Sequence, residues 1–154
     1  MKTYIAHLIR SKHESCALEN TTKNLTPTEC IIVFDYKMKL LTMYYHESQA
    51  QFFGKRGTSW LGCMFVRKKT QAELDSDKTS SANYVTNYYD ILCDDSKENG
   101  ESVVNALHGV LLEYKQTPAH AHITSCTLFS DGAGCFSGTD LFVCLPYMGI
   151  WTGK

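Results

Sequence analysis

The sequence predicts an α/β fold in which helices flank a mixed sheet, with strands 1 to 3 antiparallel and strand 4 parallel to strand 1. The first observation behind this prediction is a series of three strand-like runs with no helical pattern between them, which is typical of an antiparallel meander. The second is a segment with apolar residues at helical spacing, followed by a fourth strand-like run and another helical segment. Strands 1 and 4 can then lie side by side.

Length and composition indicate one domain of an ordinary globular protein. The chain has 154 residues, of which 44% are hydrophobic and 20% are charged, enough for one core but few for two. No apolar run approaches the roughly 20 residues of a membrane helix. Arg10 and Lys12 interrupt the amino-terminal segment too early for a secretory signal. We therefore expect an intracellular protein without a membrane partner.

Cysteine usage and net charge indicate the cellular compartment and the kinds of partner that the protein can bind. Seven cysteines are scattered along the chain, and several lie in apolar runs, which favours a reducing compartment. The formal net charge of −1 argues against a generally basic DNA-binding domain. Any contact with a polynucleotide is therefore expected to be local.

The first 29 residues are predicted to be an amino-terminal arm and linker, and residues 30–154 to be the folded domain. A short helix is expected within 1–18, before a polar run that contains a proline. The first strand, "CIIVFDYKMKLL" from Cys30, is a continuous apolar run typical of a strand covered on both faces. The next elements are, in order, an irregular excursion over 43–57, strand 2 over 58–69, a polar loop over 68–83 and strand 3 over 84–93.

The clearest helix is predicted over 100–115, where apolar residues recur at helical spacing. Glu101 near its amino end and Lys115 near its carboxyl end both suit the helix dipole. The later elements are strand 4 over 122–131 and a helix starting near Thr139 that Pro146 and Gly149 kink or end.

Two aspartates lie at corresponding places in the predicted sheet. Asp35 interrupts strand 1 and Asp131 ends strand 4, so adjacent parallel strands bring the two carboxylates together. Their repulsion favours a divalent cation as a partner. Alternatively, backbone amides or a lysine satisfy Asp35, and Asp131 belongs only to the turn "DGAG".

The segments "VFDYKMKL", "YYDILCDDSKENGESVVNALHGVLLEY" and "LFSDGAGCFSGTDLF" resemble the ribonuclease H-like superfamily, in particular the catalytic core of eukaryotic DNA transposases and host proteins derived from them. The resemblance covers roughly residues 30 to 154. It implies metal-dependent DNA phosphodiester cleavage and strand transfer, with Asp35 and Asp131 as catalytic ligands of Mg²⁺ or Mn²⁺. It also implies a DNA partner and allows a nuclear location.

The same resemblance implies that the domain is incomplete. In the family, a third acid lies on a helix beyond a fifth strand, whereas this chain stops at Lys154. We therefore expect weak or no nuclease activity, and the alternative function is a non-catalytic module that binds nucleic acid or protein. A carboxylate from Glu101, Asp140 or Asp90 near both aspartates would restore an enzyme. Asp94 and Asp95 are expected to be acids of a loop or helix start.

Three further features carry weaker predictions. Lys55, Arg56 and Trp60 in "FFGKRGTSW" suit contact with phosphates and stacking on bases, or else form a basic hairpin tip over core aromatics. A missing fifth strand leaves an open sheet edge, which favours a homodimer or a partner protein. His120 and His122 are either a zinc pair on one side of an extended chain or only the start of strand 4.

Overall fold

The computed structural model describes residues 2–76, 82–93 and 97–152, and it contains a four-stranded mixed sheet in the order β3-β2-β1-β4. The strands are β1 (Glu29–Tyr36), β2 (Ser59–Lys68), β3 (Tyr84–Cys93) and β4 (Ser125–Phe129). Strand β2 is antiparallel to both β1 and β3, and β4 is parallel to β1. The predicted α/β class and strand arrangement are confirmed at this level.

Five helices accompany the sheet in the described part of the chain. They are α1 (Lys2–Asn24), α2 (Gln49–Phe53), α3 (Gln71–Ser76), α4 (Gly100–Gln116) and α5 (Thr139–Thr152). The side chain of Asn99 caps α4 by accepting a hydrogen bond from the Ser102 amide at 2.9 Å. None of the described helices combines the length and apolar character needed to cross a membrane.

The hydrophobic core lies between one face of the sheet and helices α4 and α5. Alternate residues of β2 are buried, as expected for a strand with one face on a core. The core includes residues from the two central strands, from helices α4 and α5, and from the loops beside them. They are Cys30, Ile32, Phe34, Leu61, Cys63, Phe65, Val103, Leu107, Val110, Tyr114, Ile123, Phe136, Leu141 and Met148.

The opposite face of the sheet is covered at one end and open at the other. At the covered end Ile31 is fully buried, and the Tyr84 hydroxyl donates to the Thr22 carbonyl at 3.0 Å, which places the end of α1 beside this face. Towards the carboxyl end of β3, Tyr88 and Leu92 are exposed. Strand β1 is therefore covered on both faces only in its first half, and Asp35 lies in the exposed second half.

Several local predictions need correction. Helix α1 extends to Asn24, well into the predicted linker, and an exposed pair of Lys23 with Glu19 one turn back, at 2.6 Å, lies on its last turns. The excursion contains the short helix α2, which begins after Ser48. A reciprocal capping box between Ser48 and Gln51 stabilises its first turn. The predicted polar loop contains α3, and its residues 77–81 lie outside the described residues.

Two other predictions are wrong in detail. Helix α5 continues through Pro146 and Gly149 to Thr152, so the helix does not end at either residue as one of the two predicted alternatives had it. His120 lies in a 3-10 turn (Pro118–His120), where it is buried and stacks on Tyr114 at 3.8 Å between ring centroids. The two histidines therefore do not share one side of an extended strand, and β4 begins only at Ser125.

Candidate metal site at the carboxyl ends of β1 and β4

The register between β1 and β4 brings Asp35 level with Asp131. Ile31 pairs with Thr127 and Val33 with Phe129, and Asp35 and Asp131 each follow that last pair by two residues. Alternation along β1 places the Asp35 side chain on the face opposite the helices, because Ile32 and Phe34 face the core. Asp131 lies just beyond the end of β4. The sequence prediction that these residues come from neighbouring strands therefore agrees with the geometry.

The two carboxylates interact electrostatically. Partial burial of its carboxyl group raises the pKa of Asp35, and the negative charge of Asp131 raises it further. A hydrogen bond from the Tyr36 backbone acts in the opposite direction. Ionising Asp35 beside Asp131 is thus unfavourable unless a positive charge offsets the repulsion.

Asp131 also has a local role in the turn that follows β4. Its Oδ1 accepts a hydrogen bond from the Ala133 amide at 2.8 Å, two residues ahead. Gly132 between them has φ 75°, a conformation that glycine adopts readily. The turn explanation is therefore also correct, and it fixes the carboxylate at the edge of the sheet where Asp35 lies.

Asp90, a candidate third acid, lies on the same face as Asp35, but its carboxylate is paired with the ammonium group of Lys37. Its partner across β2 is Gly62, which in turn pairs with Asp35. Lys37 donates to Asp90 Oδ1 at 2.6 Å, and the Trp60 indole N–H donates to the same oxygen at 2.9 Å. The hydrogen bond from Lys37, followed by that from Trp60, lowers the pKa of Asp90.

Gly62 makes room for this arrangement. A Cβ atom at position 62 would lie 2.7 Å from Lys37 Cε, so the lysine chain crosses directly over the glycine. The Lys37 ammonium also lies 4.4 Å from the centre of the Trp60 ring. Asp90 and Asp35 are thus separated by a glycine that a lysine covers, and the Lys37 ammonium satisfies Asp90.

The other candidate third acids lie elsewhere. Glu101 is an exposed residue in the first turn of α4. Asp140 packs against Gly100, since a Cβ at Gly100 would lie 3.0 Å from Asp140 Oδ2. Asp94 and Asp95 lie outside the described residues. Within the described ranges, no group of three His, Cys, Asp or Glu side chains is placed to hold a metal ion.

Cys135 lies within electrostatic range of both Asp131 and Glu98, although sequence reasoning did not select Cys135 or Glu98. Burial raises the pKa of the Cys135 thiol, and the charges of Asp131 and Glu98 raise it further. Glu98 also pairs with Lys39 at 3.7 Å. The available signal was the position of Glu98 just before α4, which runs from the carboxyl end of β3.

The residues predicted to contact nucleic acid have different surroundings. Lys55 forms an ion pair with Glu47 and lies over the rings of Tyr44 and Phe52, with 7% of its side chain exposed. Arg56 is exposed and forms no ion pair with a described residue. Trp60 is half-buried against Lys37 and Asp90. Lys55 and Trp60 therefore have separate partners, and Arg56 alone among the three points freely to solvent.

Strand β4 forms one edge of the described sheet. Its residues Ser125, Cys126 and Thr127 are exposed, and the strand borders a cavity of about 560 Å³ between β4, α4 and α5. Most of the cavity surface is apolar and comes from Ile32, Leu111, Leu128, Leu145 and Met148. The sequence predicted an open sheet edge without specifying its strand, and β4 is one of the two edges of the described sheet.

Comparison with protein-family models, curated proteins and solved structures gives no match for this chain. The description of its sheet and aspartate pair therefore depends on the geometry of the chain itself. The ribonuclease H-like resemblance stays a prediction.

Proposed function

We propose that the chain is a ribonuclease H-like domain of transposase origin that holds one Mg²⁺ or Mn²⁺ ion weakly between Asp35 and Asp131. The observation that supports this proposal is the position of the two aspartates beyond the last pair of the parallel β1–β4 ladder, where burial and the charge of Asp131 both raise the pKa of Asp35. A divalent cation would neutralise both carboxylates and supply the positive charge that the pair lacks.

The same geometry favours weak nuclease activity at most. Phosphodiester transfer by two metal ions needs both ions about 3.5–4 Å apart, held by shared and separate ligands. Asp35 and Asp131 offer oxygen ligands for one hard cation, and Lys37 occupies the side of the site towards Asp90. We infer an ancestral cleavage and strand-transfer site that binds a cation but fixes a second one poorly.

Titration with Mn²⁺ tests the proposal directly. Calorimetry and NMR line broadening of the wild-type chain should show one weak site, and Asp35→Asn and Asp131→Asn should each abolish it. Asp75→Asn is the matched control, because Asp75 is an exposed aspartate of α3, at the opposite end of the sheet. Mn²⁺ binding that persists in both site variants would contradict the proposal.

Nuclease assays distinguish a remnant from an enzyme. We expect little cleavage of single- or double-stranded DNA by the wild-type chain with Mg²⁺ or Mn²⁺. Efficient DNA cleavage by the wild-type chain would contradict the proposal that the site is incomplete, provided that Asp35→Asn or Asp131→Asn abolishes it. Such a result would indicate a third ligand outside the described residues.

A DNA contact through Arg56 is part of the same proposal. Arg56 is exposed, so its guanidinium can reach a phosphate, whereas Lys55 is held by Glu47. Fluorescence anisotropy with a labelled oligonucleotide should show weak, salt-sensitive binding that Arg56→Gln reduces further. The matched control is Arg10→Gln, on the exposed surface of α1. Equal binding of the oligonucleotide by wild type and Arg56→Gln would contradict the proposed DNA contact through Arg56.

The second candidate function is a non-catalytic interaction module, which the exposed edge of β4 favours. Edge strands present unpaired backbone groups, and a second copy of the chain can supply an identical strand across a twofold axis. In this alternative the β4 edge, rather than the aspartate pair, carries the function.

A further inference from the structure

Cys30 and Cys126 face each other across the β1–β4 ladder. They are direct partners in the parallel register, and their Sγ atoms lie 3.1 Å apart. All seven cysteines lie in the described residues, and none forms a disulfide. This pair therefore places two thiols in contact on neighbouring strands.

The two thiols differ sharply in their access to solvent. Cys30 is completely buried, whereas Cys126 is exposed and lines the cavity of about 560 Å³ beside β4. A small oxidant can therefore reach Cys126 first, with Cys30 directly behind it. An accessible thiol next to a second thiol is the arrangement in which oxidation leads to a disulfide.

The ordinary spacing of neighbouring strands is compatible with a disulfide between them. Neighbouring strands lie about 4.8 Å apart, which falls within the Cα separation of roughly 4.4–6.8 Å that disulfides span. Closing the Sγ atoms to bonding distance therefore needs side-chain rotation and small backbone adjustment, without a change of strand register.

We propose that Cys126 and Cys30 form a dithiol site that hydroperoxides oxidise to a disulfide. The Cys126 thiolate attacks one peroxide oxygen, the O–O bond breaks, and the departing hydroxide takes up a proton to become water. The sulfur of Cys30 then attacks Sγ of the Cys126 sulfenic acid, and hydroxide leaves with the Cys30 proton as a second water. The net reaction converts two thiols and hydrogen peroxide into one disulfide and two waters.

The site is distinct from the proposed cation site but uses the same two strands. Cys30 and Cys126 precede Asp35 and Asp131 by the same number of residues, so the disulfide would join β1 and β4 upstream of the aspartate pair. It would also close a long loop between distant parts of the chain, which stabilises a folded protein by restricting its unfolded state.

Peptide mapping of the full chain tests the proposal without any substitution. The wild-type protein is treated with hydrogen peroxide, its remaining thiols are alkylated, and the digest is analysed by mass spectrometry. We expect a peptide pair that joins Cys30 to Cys126 and separates after reduction. Alkylated Cys126 after peroxide treatment, or a disulfide of Cys126 with any other cysteine, would overturn the proposal.

Variants then separate the roles of the two thiols. Cys126→Ser should remove the crosslink, and Cys30→Ser should stop at a sulfenic acid on Cys126 that dimedone traps. Cys16→Ser is the control, because Cys16 lies on α1 and should leave the crosslink unchanged. Peroxide should raise the thermal unfolding midpoint of the wild type and of Cys16→Ser, but not that of Cys126→Ser. An unchanged midpoint in oxidised wild type would contradict the predicted strand crosslink.

Discussion

The side chain of Lys37 reaches over Gly62 and donates a hydrogen bond to Asp90 at 2.6 Å. Asp90 would otherwise be an uncompensated acid two strands from Asp35, with the glycine between them. The lysine divides this face into a neutralised pair on β3 and an uncompensated carboxylate pair at the ends of β1 and β4. A cation is therefore expected at Asp35 and Asp131 rather than at Asp90.

Removing the lysine charge should strengthen cation binding at the aspartate pair. Lys37 follows Asp35 by two residues, just beyond the end of β1. Its positive charge therefore repels a cation bound at Asp35 and Asp131. Lys37→Met should raise the Mn²⁺ affinity by about two- to fivefold, as expected for a charge at this range in a water-exposed site. The measurement is Mn²⁺ titration, with Lys23→Met on α1 as the control. A lower affinity in Lys37→Met would show that the lysine supports the site.

Asp35 should destabilise the folded chain at neutral pH. Its folded-state pKa is raised above the ordinary value of 3.8, so folding becomes less favourable as pH rises through that window. Asp35→Asn should increase the free energy of unfolding at neutral pH by less than about 1 kcal/mol, because the group is exposed. The gain should vanish at pH below 3.8, where the carboxyl is protonated in both states. Urea denaturation across pH measures it, and a gain that persists in acid would contradict this origin.

The buried cation of Arg67 depends on Glu73. Arg67 is 3% exposed and donates to both carboxylate oxygens of Glu73, at 2.6 and 2.7 Å. The hydrogen bond from Arg67 lowers the pKa of Glu73 from 4.5 to about 2. This contribution to stability is therefore complete above pH 4.5 and is lost as pH falls towards about 2.

Replacing this carboxylate tests the ion pair. Glu73→Gln should lower the free energy of unfolding by about 1–3 kcal/mol at neutral pH, since it leaves Arg67 without a counter-charge and Glu73 is partly exposed. The difference from wild type should shrink as pH falls from 4.5 towards 2. Asp75→Asn on the same helix serves as the control in chemical denaturation. A deficit that does not change with pH would assign the effect to packing instead.

Self-association should involve the edge of β4. If a second copy pairs there, light scattering after size-exclusion chromatography should show dimers whose fraction rises with protein concentration. Thr127→Lys places a charge on the exposed edge strand and should shift the chain to monomers. Thr86→Lys on the exposed surface of β3, the other edge strand, tests whether the effect is specific to β4. A wild-type chain that stays monomeric at high concentration would count against the pairing.

The sequence predicted the sheet well where a local pattern and chain order suffice. Strand β3 has the predicted bounds, and the parallel neighbours β1 and β4 follow from the order of strands and helix. The aspartate pair could be foreseen because each residue marks the carboxyl end of its strand.

Contacts between residues distant in sequence were not predictable in the same way. The sequence grouped Trp60 with its neighbours Lys55 and Arg56, either for base stacking or as part of a hairpin tip, but it did not indicate the contacts of Trp60 with Lys37 and Asp90. The full length of α1 was not predictable because Thr and Asn favour turns and caps, whereas here the hydroxyls of Thr21 and Thr22 bond back to carbonyls within the helix. The partner of Cys30 became visible only once β4 was placed beside β1.

The segment between β1 and β2, residues 37–58, exposes a large apolar surface. It carries exposed apolar side chains, namely Met38, Leu40, Leu41, Met43, Tyr44, Tyr45, Phe52 and Phe53. An isolated bridge between Leu40 and Thr58 and the cap of α2 anchor it to the rest of the structure. Met38, Met43 and Tyr45 are 89–92% exposed, so polar residues in their place would leave the folding equilibrium nearly unchanged while reducing the exposed apolar surface. In this chain, solubility and thermodynamic stability can therefore be altered independently of each other.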